Sequence, residues 1–405
     1  MSTLQVDCTN LHSNPSCPHG PMVKFIKSIQ GNPQEYFACT ACRNPKDCPF
    51  SLKCGEKFSA VKIRALSDAK RQMAPKLSHV EASELLFKFK KLSVRKRDFC
   101  RSCFVFVFPD SANLHSGHNI VHKVTDDMLT HPSQFVLAKT NDKVEAQYWF
   151  NDETKQFILS LVEQLESSSV LCIGTPTVYE MVRSTGIRCL LLDIDSRYMT
   201  FYSNEEFGWF NMLNFHFLSD ESVVLDSLKK TITTGRVFVI LDPPFGARLE
   251  LLAYSINRLS TMCSGECMIF LVLPYFMEPH VTKYLPDFHM LDYVVHYANH
   301  SKMKSHKKSA VRLFTNVSSS SIHLPASEGY KFCGKCRCWR HPNNSHCDVC
   351  GTCPAKNATA YKHCTSCNVC VKSTWDHCDT CGRCFLSPHK CFENPPSKRA
   401  KIADS

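Results

Sequence analysis

The chain has 405 residues, a formal net charge of +11, 25 cysteines and 19 histidines, so we expect one full domain core with two or three smaller modules. Residues 1–11 are polar and unlike a secretory leader, and the longest apolar run, 268–273, is far shorter than the roughly 20 residues of a membrane helix. These features disfavour a disulfide-rich secreted protein and a membrane protein, and they favour a soluble, metal-binding protein of a reducing compartment.

The first cysteine-rich block, residues 1–60, has the order expected of a Cys3His zinc module. A Cys-x-His pair is followed by a basic and aromatic stretch and then by further cysteines. We predict Cys17, His19, Cys39 and Cys48 as the ligands, with Cys42 as an alternative to one of the later pair. The block resembles the GRF-type zinc finger, a small binder of single-stranded nucleic acid, in which exposed aromatic rings would suit base stacking.

A basic helical linker is predicted over residues 61–98. Apolar residues recur at helical spacing over Glu81–Arg97, which predicts a helix there. The linker holds the basic cluster Lys88, Lys90, Lys91, Arg95, Lys96 and Arg97. A second cluster comprises Lys302, Lys304, Lys307, Lys308 and Arg312, interleaved with His300 and His306. Each cluster suits either a polyanionic partner or a solvated surface, and the two interpretations carry about equal weight.

The second module, residues 99–125, has the order of a Cys2His2 zinc finger. Cys100 and Cys103 are separated by two residues, and His115 follows after eleven more. The histidine gap is shorter than the usual three to five residues if the pair is His115 and His118. We predict that pair as ligands, with His118 and His122 as the alternative.

Residues 126–328 are predicted to form the central α/β domain, because short, continuous apolar runs alternate there with helical patterns. The predicted strands are Val170–Gly174, Cys189–Asp195, Val237–Leu241 and Cys267–Leu273, and the predicted helices are Thr177–Thr185 and Leu249–Met262. This alternation is typical of a Rossmann-like, doubly wound α/β fold. Such folds bind their ligands at the carboxyl ends of the strands.

Two of these strand ends suggest a cofactor site. Gly174 ends the first strand, and Asp193 and Asp195 end the second about twenty residues later, a spacing that suits a glycine turn and a ribose-binding carboxylate. A single glycine disfavours a dinucleotide with a pyrophosphate and favours S-adenosylmethionine. The aromatic segment Ala146–Phe150 precedes the first strand, and it suits either the cofactor pocket or ordinary core packing.

The strand Val237–Leu241 ends in Asp242, Pro243, Pro244 and Phe245. Methyl transfer to an exocyclic amine needs such a turn, because the amine lone pair is delocalised into the ring. A carboxylate and a backbone carbonyl must accept the amine hydrogens while an aromatic face holds the base flat. A tight turn after a core strand would also contain prolines, but we favour the catalytic interpretation.

The cysteine-rich domain, residues 329–392, repeats the unit His-Cys-x-x-Cys-x-x-Cys three times. An interleaved assignment uses each ligand once and fills four tetrahedral sites. The sites are Cys333, Cys336, His346 and Cys353; Cys347, Cys350, His363 and Cys370; Cys364, Cys367, His377 and Cys384; and Cys378, Cys381, His389 and Cys391. Cys338 and His341 stay unassigned. A structural role and direct RNA binding are equally compatible with this domain, and a basic tail, 393–405, follows it.

About six zinc ions are therefore expected. Each Cys3His site sets three thiolates against one divalent ion, so five such sites lower the formal charge to about +6. The spacing of the cysteine-rich domain resembles that of DHHC palmitoyltransferases. A lipid transferase is disfavoured because those enzymes need flanking membrane helices, which this sequence lacks.

Taken together, the motifs resemble the zinc-finger family of adenine-amine methyltransferases that modify large-subunit (28S-type) ribosomal RNA in animals. The resemblance rests on Val170–Pro176, Leu191–Asp195, Asp242–Gly246, Pro274–Phe276 and the cysteine frame, and it covers nearly the whole chain. Family members have two glycines after Asp-Pro-Pro-Phe, whereas Ala247 follows Gly246 here. The family's CCHC knuckle has no counterpart after Cys391, so we expect any RNA contact of that knuckle to come from elsewhere.

The resemblance implies a direct transfer from S-adenosylmethionine to the N6 amine of an adenosine in ribosomal RNA. The implied catalytic residues are Asp242, Pro243, Pro244 and Phe245, which we call the catalytic turn. Asp242 and the Pro243 carbonyl would orient the amine, and Phe245 would stack on the base. The implied cofactor-binding residues are Gln147, Phe150, Gly174, Asp193, Asp195 and Asp242. It also implies a nuclear and nucleolar protein, with the cytoplasm as a further location. The alternatives are a non-catalytic zinc-finger RNA-binding protein with a degenerate methyltransferase fold, and an amine methyltransferase acting on DNA or protein.

Overall fold

The structure, a computed structural model, describes residues 4–29, 32–42, 46–138, 147–219, 221–299 and 309–391. Ala146, the predicted basic and histidine cluster of 300–308 and the basic tail lie outside these described residues. Within them, small zinc-type modules stand before and after one central α/β domain.

The described part of the N-terminal module contains six short strands. They are β1 (Leu4–Asp7), β2 (Ser16–Cys17), β3 (Gly20–Pro21), β4 (Val23–Ile29), β5 (Asn32–Ala38) and β6 (Ser51–Lys53). Four strands pair antiparallel in the order β1-β4-β5-β6, and β2 pairs with β3. Side chains alternate along β4, where Val23 and Phe25 are buried while Lys24 forms an ion pair with Glu35. One face of this sheet therefore supplies apolar packing.

Two linker helices follow, α1 (Ala60–Met73) and α2 (His79–Lys90). Ser78 and Glu81 form a capping box that starts α2. The predicted helix over Glu81–Arg97 is wrong in its bounds, because α2 starts earlier and a separate 3-10 turn covers Val94–Lys96. Leu92 packs against the core from the connection between them, so the apolar spacing continues after the helix has ended.

The second module is a three-stranded sheet that leads into a short helix. Its elements are β7 (Asp98–Cys100), β8 (Val105–Val107), β9 (Ile120–Val121) and α3 (Asp126–Thr130), with strand order β8-β7-β9. The ring of Phe99 lies 5.7 Å from Phe106 within the module and 5.6 Å from Phe201 of the central domain. Aromatic packing thus joins this module to the central domain.

The central domain alternates helices with strands. Its elements are α4 (Asp152–Gln164), β10 (Ser169–Ile173), α5 (Pro176–Ser184), β11 (Arg188–Asp193), β12 (Phe207–Asn211), β13 (His216–Phe217), α6 (Glu221–Ile232), β14 (Val237–Leu241), α7 (Leu249–Met262), β15 (Cys267–Pro274), α8 (Glu278–Tyr284), β16 (His289–Leu291) and β17 (Val311–Thr315). The sheet has the order β13-β12-β11-β10-β14-β15-β17-β16.

The neighbours from β12 to β15 in that order pair in parallel, whereas β13 and β17 run antiparallel to the strands beside them. This arrangement confirms the predicted doubly wound α/β fold. β14 and α7 have the predicted bounds, and the other predicted elements differ by one or two residues at their ends. The strand predicted to reach Asp195 ends at Asp193, because the Asp195 N–H donates to the Asp193 carboxylate.

Alternate residues of the sheet face two separate cores. Val170 and Cys172 of β10 face a core that also contains Phe99 of the second module. Leu171 and Ile173 face the opposite core, which also contains Val23 of the N-terminal module. The two modules therefore pack on opposite faces of the same sheet.

The N-terminal module is fixed to the central domain by a close backbone approach at Gly20. The side-chain amides of Asn211 and Asn214 both donate to the His19 carbonyl at 3.0 Å. Gly20 has a φ of +100°, and a Cβ there would lie 2.2 Å from a ring carbon of His216. Only glycine fits at this position without displacing the His216 ring.

The cysteine-rich domain consists of three two-stranded hairpins. They are β18 (Lys331–Cys333) with β19 (Cys338–Arg340), β20 (Tyr361–Cys364) with β21 (Val369–Lys372), and β22 (Trp375–Cys378) with β23 (Arg383–Leu386). The domain contacts the central domain through Asp292, whose carboxylate accepts from the His341 N–H at 3.0 Å and from the Asn344 amide at 2.7 Å. In the described ranges, no helix is long and apolar enough to cross a membrane.

Two arginines predicted to belong to basic surface clusters are buried, so the prediction is wrong for them. Arg97 is 5% exposed, donates to two backbone carbonyls and pairs with Asp126. Arg312 lies on β17 and is 0% exposed, with three backbone carbonyls as acceptors, one of them that of Lys356 in the cysteine-rich domain. Both guanidinium groups stabilise connections within the fold, since each donates to backbone carbonyls.

Candidate active site and zinc-binding groups

Asp242 lies directly after β14, at the carboxyl edge of the sheet. Its backbone N–H donates to the Ile173 carbonyl at 3.1 Å, which holds the turn against the end of β10. The Tyr297 hydroxyl donates to both carboxylate oxygens, at 3.0 and 3.1 Å. Burial raises the pKa of Asp242 well above its ordinary value, and the hydrogen bond from Tyr297 opposes that rise.

Tyr297 is a site residue that the sequence analysis missed. The segment around it pairs antiparallel with the aromatic segment before α4, since the Ala298 N–H donates to the Trp149 carbonyl at 2.7 Å. The Tyr297 ring stacks on Phe150, with centroids 5.1 Å apart and planes 17° apart. No motif marks Tyr297 in the sequence, and only the pairing of two distant segments brings it to Asp242.

The remaining residues of the catalytic turn differ in exposure. Pro243 is buried, Pro244 is exposed and Phe245 is half-buried. The Ala247 N–H donates to the Pro244 carbonyl at 2.8 Å and closes the turn. The Phe245 ring centroid lies 6.4 Å from that of Tyr297. Phe245 and Tyr297 thus place aromatic surface beside the Asp242 carboxylate.

Gly174 forms the predicted turn after β10, with a φ of +68°. A Cβ at this position would lie 3.0 Å from the Asp242 carbonyl oxygen and 3.0 Å from the Met212 side chain. The Gly174 N–H donates to the Leu192 carbonyl at 2.9 Å, so three neighbouring strands meet here. The missing side chain lets the Gly174 backbone lie directly against the catalytic turn, where a side chain would crowd Asp242 and Met212.

The structure brings Gln147 and Asp195 together through Arg197, which the sequence analysis did not identify. The Arg197 guanidinium donates to the Asp195 carboxylate at 2.7 Å and to the Gln147 side-chain oxygen at 2.9 Å, and the Gln147 amide donates to Asp195 at 2.8 Å. Burial opposes ionisation of Arg197, but the hydrogen bond and charge of Asp195 raise its pKa. This triangle stabilises the loop after β11.

Asp193 ends β11 and is 6% exposed, close to the triangle. One of its oxygens accepts the Asp195 N–H at 2.8 Å. Because β11, β10 and β14 are adjacent, Asp193, Gly174 and Asp242 lie along the same edge of the sheet. A buried carboxylate next to a glycine turn at the carboxyl ends of parallel strands suits the ribose and amino-acid parts of S-adenosylmethionine, so the residues fit this cofactor.

The N-terminal donor group contains Cys17, His19, Cys39 and Cys48, whose donor atoms all lie within 4.8 Å of one another. The Cys39 sulfur lies 3.5 Å from Nδ1 of His19, whereas the Cys42 sulfur lies 3.6 Å from Nε2, the other ring nitrogen. The four predicted ligands therefore lie together, whereas Cys42 lies near the other nitrogen of the His19 ring.

The second module groups Cys100, Cys103, His115 and His118 in the same way. Nδ1 of His118 lies 3.5 and 3.3 Å from the two sulfurs. His122, the alternative ligand, lies instead 3.0 Å from the Asp98 carboxylate. The predicted pair is thus the pair that the fold brings together.

All four predicted groups of the cysteine-rich domain also converge. Three of them bring together the predicted donors within 4.8 Å of one another. In the fourth, the Cys378 sulfur lies 3.7 Å from that of Cys391, and Nε2 of His389 lies 3.5 Å from the Cys381 sulfur.

The sulfur-to-sulfur distances test whether zinc fits these groups. A tetrahedral ion with Zn–S bonds of about 2.3 Å sets two sulfurs about 3.8 Å apart. The pairs Cys336–Cys353, Cys350–Cys370 and Cys367–Cys384 lie 3.7, 3.6 and 3.8 Å apart. The donor chemistry and the spacing both fit zinc, and the ligand assignment itself stays a prediction.

Comparisons with known proteins agree with this chemistry. A family model described as probable N6-adenine methyltransferase matches residues 141–319. The rRNA N(6)-adenosine-methyltransferase ZCCHC4 of Homo sapiens is 39% identical over 402 aligned residues, covering 93% of this chain and 78% of that protein. The protein of the same name from Xenopus laevis is 37% identical over 354 residues, covering 82% and 72%. A protein-lysine N-methyltransferase of Dictyostelium discoideum is 22% identical over 147 residues, covering 35% and 64%.

Proposed function

The chain belongs to the family of rRNA N6-adenosine methyltransferases, and on that basis we propose that it methylates the N6 amine of an adenosine in large-subunit ribosomal RNA. The observation that carries the proposal is the Asp242 carboxylate, which Tyr297 holds beside Gly174 at the carboxyl edge of the sheet. S-adenosylmethionine supplies an electrophilic methyl group when it is bound.

Asp242 and the Pro243 carbonyl orient the amine by accepting its two hydrogens. The amine then directs its nitrogen lone pair away from the turn, and the delocalisation that makes it a poor nucleophile is reduced. Once nitrogen carries the methyl group, its excess proton is acidic and a carboxylate oxygen of Asp242 can hold it. The raised pKa of Asp242 favours that last step.

Phe245 holds the base flat, and Tyr297 sets the direction of the Asp242 carboxylate. An adenine that reaches this turn must leave the stack of its neighbours, and a half-buried aromatic ring replaces part of the lost stacking. Tyr297 cannot rotate freely because it stacks on Phe150. Both oxygens of Asp242 therefore keep their orientation before the base arrives.

Gly174 and Asp193 are the residues that we propose to contact the cofactor directly. Gly174 lets the backbone approach it, and Asp193 binds ribose hydroxyls. Gln147, Asp195 and Phe150 support the pocket, since the first two are joined to Arg197 and the third to Tyr297.

Ribosomal RNA is the proposed partner, and zinc in about six sites is proposed to hold the modules that flank the catalytic domain. The basic side chains of α2, Lys88 and Lys90, are exposed and suit RNA phosphates. We further propose a nuclear and nucleolar location, which imaging of a tagged chain beside a nucleolar marker tests.

The activity test compares the purified, zinc-loaded full chain with its Asp242→Ala and Asp242→Asn variants. Each is incubated with labelled S-adenosylmethionine and total RNA, and the separated RNAs are digested to nucleosides. We expect label in N6-methyladenosine of large-subunit RNA with the unaltered chain and none with either variant. Asp226→Asn, an exposed acid on α6, is the matched control and should keep full activity. Label in methylated cytidine, in DNA alone or in a protein substrate would contradict the proposal.

A further inference from the structure

The second module contacts Arg197, the side chain that holds part of the proposed cofactor pocket. Arg197 lies in the 3-10 turn Ser196–Thr200, which follows β11. Its guanidinium carbon lies 5.4 Å from the ring centroid of Phe104. Phe104 follows directly after Cys103, at the end of a donor loop that comprises residues 100–104. A guanidinium is attracted to an aromatic ring at this distance, so the donor loop and Arg197 stabilise each other.

A second connection between the donor loop and Arg197 runs through the backbone of residues 135–137. Arg101, within the donor loop, donates from Nε to the Phe135 carbonyl at 2.7 Å. Two residues later, the Leu137 carbonyl accepts from the Arg197 guanidinium at 3.1 Å. The short segment is therefore hydrogen-bonded to the donor loop at one end and to Arg197 at the other.

The conformation of the donor loop depends on its two cysteine donors. The Cys103 N–H donates to the Cys100 sulfur at 3.3 Å, which closes the loop. Phe104 has a φ of +57°, a conformation that residues with a side chain rarely adopt and keep only where their surroundings fix it. A zinc ion shared by the two sulfurs would supply that constraint. The position of the Phe104 ring should therefore depend on metal binding.

On its other side, Arg197 determines where two residues of the proposed cofactor pocket lie. Its guanidinium donates to the Asp195 carboxylate at 2.7 Å and to the Gln147 side-chain oxygen at 2.9 Å. The Asp195 N–H in turn donates to the Asp193 carboxylate at 2.8 Å. A shift of Arg197 would therefore displace the carboxylate that we propose to bind the ribose hydroxyls.

We propose that Arg197 is a positioning residue that couples zinc binding in the second module to cofactor binding in the central domain. The metal holds the donor loop, which keeps Phe104 and Leu137 against Arg197. Arg197 in turn keeps Asp195 and Gln147 in place. Such coupling is reciprocal, so bound cofactor must increase the affinity of the module for zinc by the same factor, which we expect to be about ten. The inference rests on the proposed function, because it assumes that S-adenosylmethionine binds at this edge of the sheet.

The first test measures the reciprocal effect and needs no methyl transfer. The zinc-loaded full chain is treated with N-ethylmaleimide and a chelator, with and without saturating S-adenosylmethionine. Mass spectrometry follows the alkylation of each cysteine. We expect the cofactor to slow alkylation of Cys103 about tenfold. Cys367, a donor of the cysteine-rich domain, is the internal control and should react at an unchanged rate.

The second test uses Arg197→Lys, which keeps the charge but loses the planar group that bonds several acceptors at once. Calorimetry should show about tenfold weaker binding of S-adenosylmethionine, and the cofactor should no longer slow alkylation of Cys103. Arg183→Lys is the matched control, since Arg183 also pairs with a carboxylate, Glu206, and lies over an aromatic ring, Tyr202. It should keep both the affinity and the slowing. Zinc content and thermal unfolding show whether each variant is folded.

Equal slowing at Cys103 and Cys367, or no slowing at either in a chain that binds the cofactor, would overturn the inference. Slowing at Cys103 that persists in a folded Arg197→Lys would do the same. A chain that methylates ribosomal RNA without this coupling would refute the coupling alone. Coupling at Cys103 without methylation of ribosomal RNA would refute the proposed function alone, and a chain that does not bind S-adenosylmethionine would refute both.

Discussion

The Tyr297 hydroxyl donates to both carboxylate oxygens of Asp242, at 3.0 and 3.1 Å, although 55 residues separate the two in sequence. This contact fixes the direction of the carboxylate and lowers a pKa that burial raises. Neither effect requires Tyr297 to touch the substrate.

Tyr297→Phe should reduce the rate of methyl transfer about 10- to 100-fold, the range for loss of a hydrogen bond to a charged group. Without the hydroxyl the pKa of Asp242 rises further, so the acid limb of the pH–rate profile should move to higher pH. RNA affinity should not change. Steady-state rates across pH measure both effects. Tyr284→Phe, which removes a hydrogen bond to Glu250, is the control and should leave the profile in place.

Asp242→Asn should stabilise the protein at neutral pH while it abolishes transfer. Because burial raises the Asp242 pKa, the folded chain holds a proton that the unfolded chain releases, and stability falls as pH rises above the unfolded pKa. The amide avoids that loss, so we expect about 1 kcal/mol of added stability at pH 8 and none well below the unfolded pKa. Thermal unfolding at the two pH values measures the difference, and a variant less stable at pH 8 would contradict it.

Cys336→Ser and Cys338→Ser should differ in zinc content although only one residue separates them. Cys336 belongs to a donor group, whereas Cys338 is buried on β19 outside the donor groups of the described residues. Elemental analysis should find one zinc ion fewer per chain in Cys336→Ser only. Equal loss in both variants, with both folded, would show that the assignment of this site is wrong.

Gly20→Ala should weaken docking of the N-terminal module on the central domain. The new Cβ would collide with the His216 ring, and the positive φ adds backbone strain, for a total cost of about 2 to 4 kcal/mol. Gly55→Ala is matched, because Gly55 also has a positive φ but open space at its Cβ. Limited proteolysis and thermal unfolding should show the larger effect for Gly20.

The features that were predicted correctly depend on patterns of residues that are close together in the sequence. β14 and α7 have the predicted bounds because an unbroken apolar run and a helical apolar spacing each mark one element. The donor groups converge as predicted because short cysteine spacings leave few alternatives. Tyr297 was missed because only long-range pairing brings it to Asp242, whereas Arg197 was missed although it lies two residues after Asp195. Arg312 was misassigned because a run of lysines in sequence continues into a buried strand.

The two N-terminal modules share apolar cores with opposite faces of the catalytic sheet. Zinc bound in either module would therefore stabilise the sheet as well as the module, since the same side chains belong to both. Removal of the metal would uncover apolar surface on both faces of the sheet. Zinc binding and folding of the catalytic domain are therefore linked equilibria. A chain that has not acquired its zinc should be inactive and prone to aggregation.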